Sequence, residues 1–421
     1  MDLKIRTQLS VMMFLQYFVW GAWYVTIGTY LTTALKFTSP QIGLTYGATA
    51  IAAILSPVII GKIADRYFAT EKVIAFLHLG GGILLFVLTT IDNFTLFYPA
   101  IILYSMAYMP TIALTNSLSF QQMEDPGKEF PGVRVLGTIG WIAVGLIIGF
   151  LKVEATAIPI MIASGSSILL GLYSFTLPHV PPKKGESKST VKELLGLDAL
   201  SLMKNRSFAI LIISSLLVCI PLSFYYSFTN IFLNDIGMSN AAGKMTLGQG
   251  SEIIFLLVMP FFFKRFGIKW MILVGILSWA LRFVLFAFGA DPIVSWMLLT
   301  GIALHGICYD FFFVTGQIYV DNNAPKGVKS AAQGLITFAT YGIGMLIGTW
   351  LSGIVVEIYS TSANGISDYG WKAIWLVPAG LSVIVMILFG TFFNEKPIKE
   401  VKDDASAEEY DSMAEPAKAG S

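Results

Sequence analysis

Four ionisable side chains lie inside strongly apolar segments of the sequence: Glu252, Asp310, Arg134 and Arg282. An ionised group at the centre of a membrane helix costs at least about 2.5–3.5 kcal/mol, so each of these residues requires an explanation. A carboxyl group held away from water binds a proton more readily, and it could take up and release one. Glu252 and Asp310 have no lysine or arginine one turn away. A local ion pair is therefore excluded, whereas a pair with Arg134 or Arg282 on another helix stays open.

The two arginines and one histidine have simpler explanations. Arg134 lies near the end of its apolar segment, where a long side chain reaches water at little cost, and the residues alone favour this explanation. Arg282 is expected to be a buried structural partner. His78 stands just before three consecutive glycines and is expected to be a packed histidine.

Polar and aromatic residues recur at helical spacing in several of the same segments. Gln249 precedes Glu252 by three positions, on the same helical face. Two mixed stripes are Arg134, Thr138 and Trp141, and Ser223, Tyr226 and Asn230. Amides, hydroxyls and a carboxylate suit the hydroxyl groups of a sugar, and flat rings suit a planar base. Packing is the favoured explanation of two mainly aromatic stripes, which are Gln16, Trp20 and Trp23, and Tyr104, Tyr108 and Asn116.

The composition is that of a membrane protein. Of 421 residues, 55% are hydrophobic and 13% are charged, and the mean hydropathy is +0.72. One membrane crossing needs about 20 apolar residues. Twelve apolar runs predict helices 1 to 12, at residues 8–34, 41–61, 72–91, 95–118, 133–151, 156–177, 207–234, 247–263, 269–289, 293–319, 329–357 and 371–393.

The longest polar stretch between these runs, residues 179–206, divides the chain into two six-helix halves, 1–178 and 207–393. Residues 394–421 are polar and are expected to be a disordered tail. With the N-terminus in the cytoplasm, 22 of the 27 lysines and arginines fall on the cytoplasmic side and only four on the other. The excess of positive charge predicts that both termini and the linker are cytoplasmic.

Several classes of membrane protein are disfavoured by what the sequence lacks. A pump would need a G-x-x-x-x-G-K-[ST] nucleotide motif, and an enzyme would need a metal or nucleophile motif such as H-E-x-x-H or G-x-S-x-G. The sequence contains none of these motifs. It has only three histidines, and its two cysteines, Cys219 and Cys308, lie in apolar runs. A channel is disfavoured because the sequence contains no repeated pore loop. A secondary carrier remains, with no metal, no cofactor and no catalytic residue. A non-transporting solute sensor is disfavoured because no large soluble domain is present.

The two halves also resemble each other. The short basic sequence after helix 2, GKIADRYF, has a counterpart after helix 8, FKRFG. Parallel repeats of this kind are typical of the major facilitator superfamily, which binds its substrate midway between the halves. The G-x-x-x-D-R element formed by Gly61, Asp65 and Arg66 resembles the loop signature of that superfamily, against the alternative of an ordinary charged loop.

The sequence as a whole resembles the bacterial nucleoside:H⁺ symporters of that superfamily. The resemblance runs through nearly the whole chain, and its clearest stretches are LQYFVWGAWYVTIGTYL, GKIADRYF, AYMPTIALTNSLSF, FPGVRVLGTIGW, TLPHVP, LLGLDALSLMKN, SWALRFVLFAFG, YDFFF and AAQG. It implies an all-α fold of twelve transmembrane helices in two six-helix bundles around a central cavity. It also implies a multi-pass protein of the bacterial inner membrane that imports nucleosides with protons by alternating access.

The resemblance also assigns site residues. Arg134, Thr138 and Trp141 match the family's positions on helix 5, Gln249 and Glu252 its pair on helix 8, and Tyr309 and Asp310 its aromatic and acidic pair on helix 10. The chain departs from the enterobacterial pattern at three positions, where Ser223 and Tyr226 replace amides and His305 replaces a tyrosine. These changes keep open a same-fold carrier of a sugar, an oligosaccharide or another polar metabolite.

A transport mechanism follows from these assignments as a hypothesis. Gln249 and Glu252 would bond the ribose, Trp141 and Tyr309 would stack on the base, and Arg134 and Thr138 would bond either part. Asp310 is the first choice for the proton-coupling residue and Glu252 the second. The loop Gly61–Arg66 would brace the closed cytoplasmic face. We expect a monomer in the lipid bilayer, with a nucleoside as its partner and no nucleic acid.

Overall fold

The computed structural model describes residues 1–56, 68–182, 196–325, 328–363 and 366–394. We keep the predicted helix numbers. Helix 1 is Leu3–Tyr24 continued by Ile27–Thr33, and helices 2 to 6 are Ser39–Ser56, Thr70–Leu88, Phe94–Phe120, Pro126–Leu151 and Ile158–Ser174. Helix 7 is Arg206–Asp235, helices 8 and 9 share Ala241–Phe288, helix 10 spans Trp296–Asn323, helix 11 spans Lys329–Ile358, and helix 12 is Trp371–Phe392.

Nine helical segments in the described ranges are long and apolar enough to cross a membrane. The segment Ala241–Phe288 is one of them and has the length of two crossings, while helix 6 is a shorter apolar helix. With helix 2, these segments are consistent with the twelve predicted crossings. Large apolar side chains such as Phe150, Leu257 and Phe261 are more than two-thirds exposed, as expected of a surface that faces lipid.

Helices 8 and 9 are two separate helices, as predicted at 247–263 and 269–289, although helix 8 begins already at Ala241. The helical segment Ala241–Phe288 is broken at Gly267, whose φ of 71° and ψ of 177° are not helical. Glycine adopts a positive φ without the steric cost that a Cβ brings. The basic residues Lys264 and Arg265 lie at the end of helix 8, just before this break.

The core of the N-terminal half holds a chain of buried polar contacts. The Gln16 amide donates to the Thr111 hydroxyl at 2.7 Å, and its oxygen lies 2.9 Å from Nε2 of His78. Nδ1 of His78 lies 3.1 Å from the Ser167 hydroxyl. Tyr108 donates to the Gln16 carbonyl. These contacts confirm that His78 is a packed histidine, and they place Gln16 and Tyr108 of the two stripes in the packing of helices 1 and 4.

Arg282 has the corresponding structural role in the C-terminal half. The side chain is fully buried, and its Nε donates to the Gly301 carbonyl at 2.8 Å. The guanidinium lies 4.1 Å from the ring centre of Tyr225 and 4.8 Å from that of Trp279. These contacts tie helix 9 to helices 7 and 10 and confirm the expected structural role.

Replacing Arg282 is expected to destabilise the fold. Arg282→Ala removes a hydrogen bond from a charged group, worth about 1.5–3 kcal/mol, and two cation–π contacts. We expect a lower melting temperature in a detergent-solubilised thermal unfolding assay. Leu281→Ala is the matched control, because this neighbouring side chain is 46% exposed on the outer surface of the bundle. Equal melting temperatures for the two variants would contradict a structural role for Arg282.

The two halves meet mainly near the end that the charge distribution predicts to be outside. Helix 1 contacts helix 7 through Gly28, helix 2 contacts helix 11, and helix 5 contacts helix 8. At Gly43 the backbone carbonyl of Thr349 leaves no room for a Cβ, and at Gly149 the side chain of Asn240 leaves none. The helices of opposite halves therefore approach each other to backbone contact at this end.

Two short elements lie outside the predicted pattern. A two-stranded antiparallel hairpin, Ser360–Ala363 with Ile366–Tyr369, connects helix 11 to helix 12. A 3₁₀ helix, Leu197–Lys204, lies within the linker and packs against the start of helix 11. The loop residues Gly61, Asp65 and Arg66 lie outside the described residues, as does the tail from 395 onward.

Candidate substrate site

Helix 5 contributes the first wall of a central site. The Arg134 guanidinium lies 4.0 Å from the ring centre of Tyr17 on helix 1. Two turns further along, Trp141 packs edge-on against Trp20, with ring centres 5.6 Å apart. Thr138 lies between them on the same face and is half-buried. The predicted stripe of Arg134, Thr138 and Trp141 therefore forms one surface that is continuous with the aromatic side chains of helix 1.

Helix 8 contributes Gln249 and Glu252 from the opposite half. Both side chains are half-buried. The carboxyl group of Glu252 is close enough to interact electrostatically with Arg134 and Tyr17 in the N-terminal half. It is also close enough to interact with Asp310 in its own half. The predicted residues of helices 5, 8 and 10 thus share one region between the halves. Within the ranges that the structure describes, neither Glu252 nor Asp310 forms an ion pair.

Helix 10 contributes His305, Tyr309 and Asp310. The His305 ring stacks on Tyr225 with centres 5.1 Å apart, and its buried Nδ1 has no hydrogen-bond partner among the described residues. A π-helical turn begins at Asp310, and such turns are frequent at functional sites. Asp310 is buried, and its Oδ2 likewise has no hydrogen-bond partner in the part of the chain that the structure describes. A buried carboxyl oxygen without a donor is costly as an anion, so the site favours a protonated carboxyl group or a donor from a ligand.

The two predicted residues of helix 7 have different surroundings. The Tyr226 ring lies 5.6 Å from Tyr24 of the other half and 6.1 Å from His305, at the border of the central region. The Ser223 hydroxyl donates to the Cys219 carbonyl of its own helix at 2.7 Å, and it lies against Gly348 of helix 11. In this conformation Ser223 belongs to the contact between helices 7 and 11.

A small pocket lies between the halves beside these residues. Its lining includes Gly21 and Trp141 from the N-terminal half, and Tyr226, Thr246 and Gln249 from the C-terminal half. A flat ligand placed here would contact the aromatic rings of Trp141 and Tyr226, one from each half, and the amide of Gln249. The arrangement can therefore recognise a molecule that has both a planar part and a hydroxyl-bearing part.

Three tyrosines of this region were missed by the sequence reasoning. Tyr17 lies under Arg134, and Tyr24 contacts Tyr226. The Tyr341 hydroxyl on helix 11 forms a hydrogen bond with the hydroxyl of Tyr309. Tyr341 lies in a second π-helical turn, Phe338–Gly344. A tyrosine at the middle of a glycine-rich membrane helix is the signal that could have indicated it.

The fold and its central site define the class of the molecule as a transporter of the major facilitator type. The structure superimposes on that of a D-xylose-proton symporter with a TM-score of 0.71, at 12% identity and over 94% of this chain. At this identity the match concerns the fold alone. It supports two helical bundles around a central site, and thus the predicted fold class.

The chain belongs to the nucleoside H⁺ symporter family, whose model matches residues 2–397. It is 45% identical to the "Putative nucleoside transporter YegT" of Escherichia coli K12, over 93% of this chain and 95% of that protein. It is 35% identical to the xanthosine permease of the same strain, over 94% and 98%. The crystal structure of the nucleoside transporter NupG matches with a TM-score of 0.85 and 34% identity, over 94% of this chain and all of that chain.

These comparisons confirm the predicted family and fold. The chain is a multi-pass membrane transporter and not an enzyme, because its family and its relatives are transporters. The roles assigned to the individual site residues stay predictions, although most of these residues lie together around the centre of the structure.

Proposed function

We propose that this protein imports nucleosides together with protons by alternating access. The proposal rests above all on two carboxyl groups, Glu252 and Asp310, that share a central region with Arg134 from the other half. A carboxyl group that is buried between two mobile halves can bind a proton from one side and release it to the other. Membership of the nucleoside H⁺ symporter family supports the same function.

The residues divide between the two parts of a nucleoside. Gln249 and Glu252 bond the ribose hydroxyls, and Arg134 and Thr138 bond the ribose or the base. Trp141 and Tyr309 stack on the base, because flat rings pack on each other at low cost. Tyr226 and His305 border the base, and the Nδ1 of His305 has no competing hydrogen-bond partner among the described residues. Ser223 is a more distant member of the set, since its hydroxyl bonds within helix 7.

The cellular setting belongs to the same proposal. The charge distribution supports cytoplasmic termini, and the Escherichia coli relatives support a location in a bacterial inner membrane. The transporter acts as a monomer in the bilayer, the co-transported proton takes the place of a cofactor, and nucleic acid is not a partner. The loop with Gly61, Asp65 and Arg66 braces the cytoplasmic face when that face is closed.

Competition for uptake tests the substrate class. In proteoliposomes with an inward proton gradient, unlabelled nucleosides should block uptake of a labelled nucleoside, and sugars should not. Trp141→Ala should weaken nucleoside affinity by about 5- to 150-fold, since stacking on one base is worth about 1–3 kcal/mol. Trp141→Phe is the matched control because it keeps a ring and should retain most of the affinity. Uptake blocked by sugars alone would reject the proposal in favour of a sugar carrier.

A further inference from the structure

A buried carboxylate away from the central site joins the two halves. Glu154, in the segment between helices 5 and 6, is only 4% exposed. Its Oε2 accepts hydrogen bonds from the side-chain amides of Asn230 at 2.8 Å and Asn234 at 2.9 Å, both on helix 7. Its Oε1 accepts a hydrogen bond at 3.0 Å from the backbone N–H of Ala242, in the first turn of helix 8. One carboxylate of the N-terminal half thus holds two helices of the C-terminal half.

Helix 1 extends the same cluster. The Thr29 hydroxyl donates to Oδ1 of Asn230 at 2.6 Å. The side-chain amide of Asn230 therefore accepts a hydrogen bond from helix 1 and donates one to Glu154 after helix 5, both in the N-terminal half. This arrangement uses the oxygen and the nitrogen of the amide in bonds that cross between the halves.

A second carboxylate makes the reverse connection. Glu357, near the end of helix 11 in the C-terminal half, accepts a hydrogen bond at 3.3 Å from the backbone N–H of Ser39. Ser39 is the first residue of helix 2, in the N-terminal half. Helices 5 and 11 are the fifth helices of their halves, and helices 2 and 8 are the second. An acid at the end of helix 11, and one just after the end of helix 5, therefore each cap the second helix of the opposite half.

The physical basis is the same on both sides. The first N–H groups of a helix have no partner within the helix and carry a partial positive charge, so they favour an anion. Such a cap holds only while the halves are in contact, because the carboxylate and the helix belong to different halves. Both caps lie at the end predicted to face outside, where Gly43 and Gly149 bring the backbones together.

We infer that Glu154 and Glu357 form a reciprocal latch that holds the outer face closed. Opening of that face separates helix 5 from helix 8 and helix 2 from helix 11, so it must break both caps. The latch sets the population of the outward-closed conformation and makes no contact with the transported molecule. The inference rests on alternating access, but its test requires no nucleoside and is independent of the proposed substrate.

The test is the accessibility of a single cysteine from outside. Thr246→Cys, introduced with Cys219→Ala and Cys308→Ala, places a thiol between helices 5 and 8, where Thr246 is 8% exposed. A membrane-impermeant maleimide added to intact cells measures how often the outer face opens. Glu154→Ala and Glu357→Ala should each raise the labelling rate about tenfold or more, as expected from loss of hydrogen bonds to a charged group. The double variant should show the product of the two effects.

Controls separate a latch from a general loss of structure. Asp92→Ala removes an exposed acid predicted to lie at the same end and should leave labelling unchanged. A second reporter, Thr138→Cys, is labelled in inside-out vesicles, and loss of the latch should lower its rate as the outward-open state gains population. Unchanged outer labelling in both acid variants would overturn the inference. A rise in labelling on both sides would overturn it as well, since it would indicate loosened packing.

Discussion

Asp310→Asn should abolish the accumulation of nucleoside against a gradient while leaving downhill uptake in place. Asparagine resembles the protonated carboxyl group in shape and neutrality but cannot exchange a proton. A proton gradient of about one pH unit is worth about 1.4 kcal/mol and supports about tenfold accumulation in one-to-one symport. The variant should therefore reach a ratio of inside to outside concentration of about one, measured with labelled nucleoside in proteoliposomes.

The pH dependence has a definite sign under this mechanism. A lower outer pH protonates more of the outward-facing carriers, so uptake by the parent protein should rise as the outer pH falls. A proton ionophore should return its accumulation to the downhill level. Asp310→Asn should respond to neither treatment. The buried Oδ2, which has no hydrogen-bond partner within the described ranges, is the feature that points to Asp310 as the coupling residue.

The matched control for this experiment lies on the same helix. Asp321 is 55% exposed at the side chain and pairs with Lys329 at 3.3 Å. Asp321→Asn makes the same chemical change outside the central region and should keep proton-driven accumulation. If Asp310→Asn accumulated nucleoside as the parent does, the coupling role would pass to another group, with Glu252 as the next candidate.

Helical periodicity predicted most of the site but not its immediate surroundings. Arg134, Thr138 and Trp141 share a face because their spacing fits an α-helix, and the structure gives them that common face. The contact of Tyr309 with Tyr341 could not be predicted in this way. It joins two helices, and Tyr341 lies within a π-helical turn that regular α-helical spacing does not predict.

Hydropathy predicted where the membrane segments lie, but it did not predict how they join or which polar groups pair. It does not register Gly267, the residue of positive φ at which helix 8 ends and helix 9 begins. Glu154 was overlooked because it falls in a short loop, and its partners Asn230 and Asn234 lie about 80 positions further along the chain. Pairing over that distance depends on the packing of the two halves.

The hairpin after helix 11 was also missed, although Asn364 and Gly365 in the sequence are a common hairpin signal.

Glu252→Gln should weaken nucleoside binding by about 10- to 100-fold. A hydrogen bond between a hydroxyl and a carboxylate is worth about 1.5–3 kcal/mol, and the amide loses most of this contribution. Glu252 is suited to such a bond because it is half-buried, and within the described residues it has no ion-pair partner that would compete with a ligand. Equilibrium binding to the purified protein in detergent measures the effect without any contribution from transport.

Two controls make the ribose assignment specific. Glu124→Gln is the same substitution at an exposed position near the start of helix 5, and it should leave affinity unchanged. A 2′,3′-dideoxynucleoside lacks the hydroxyls that Glu252 is proposed to bond, so it should bind the parent protein and Glu252→Gln with similar affinity. Removing the carboxylate and removing the hydroxyls would then cost the same free energy, and doing both would cost no more than either alone. Glu252→Gln could instead weaken binding of the dideoxynucleoside as much as binding of the nucleoside. In that case the carboxylate would act on the base or on Arg134, and the ribose assignment would be wrong.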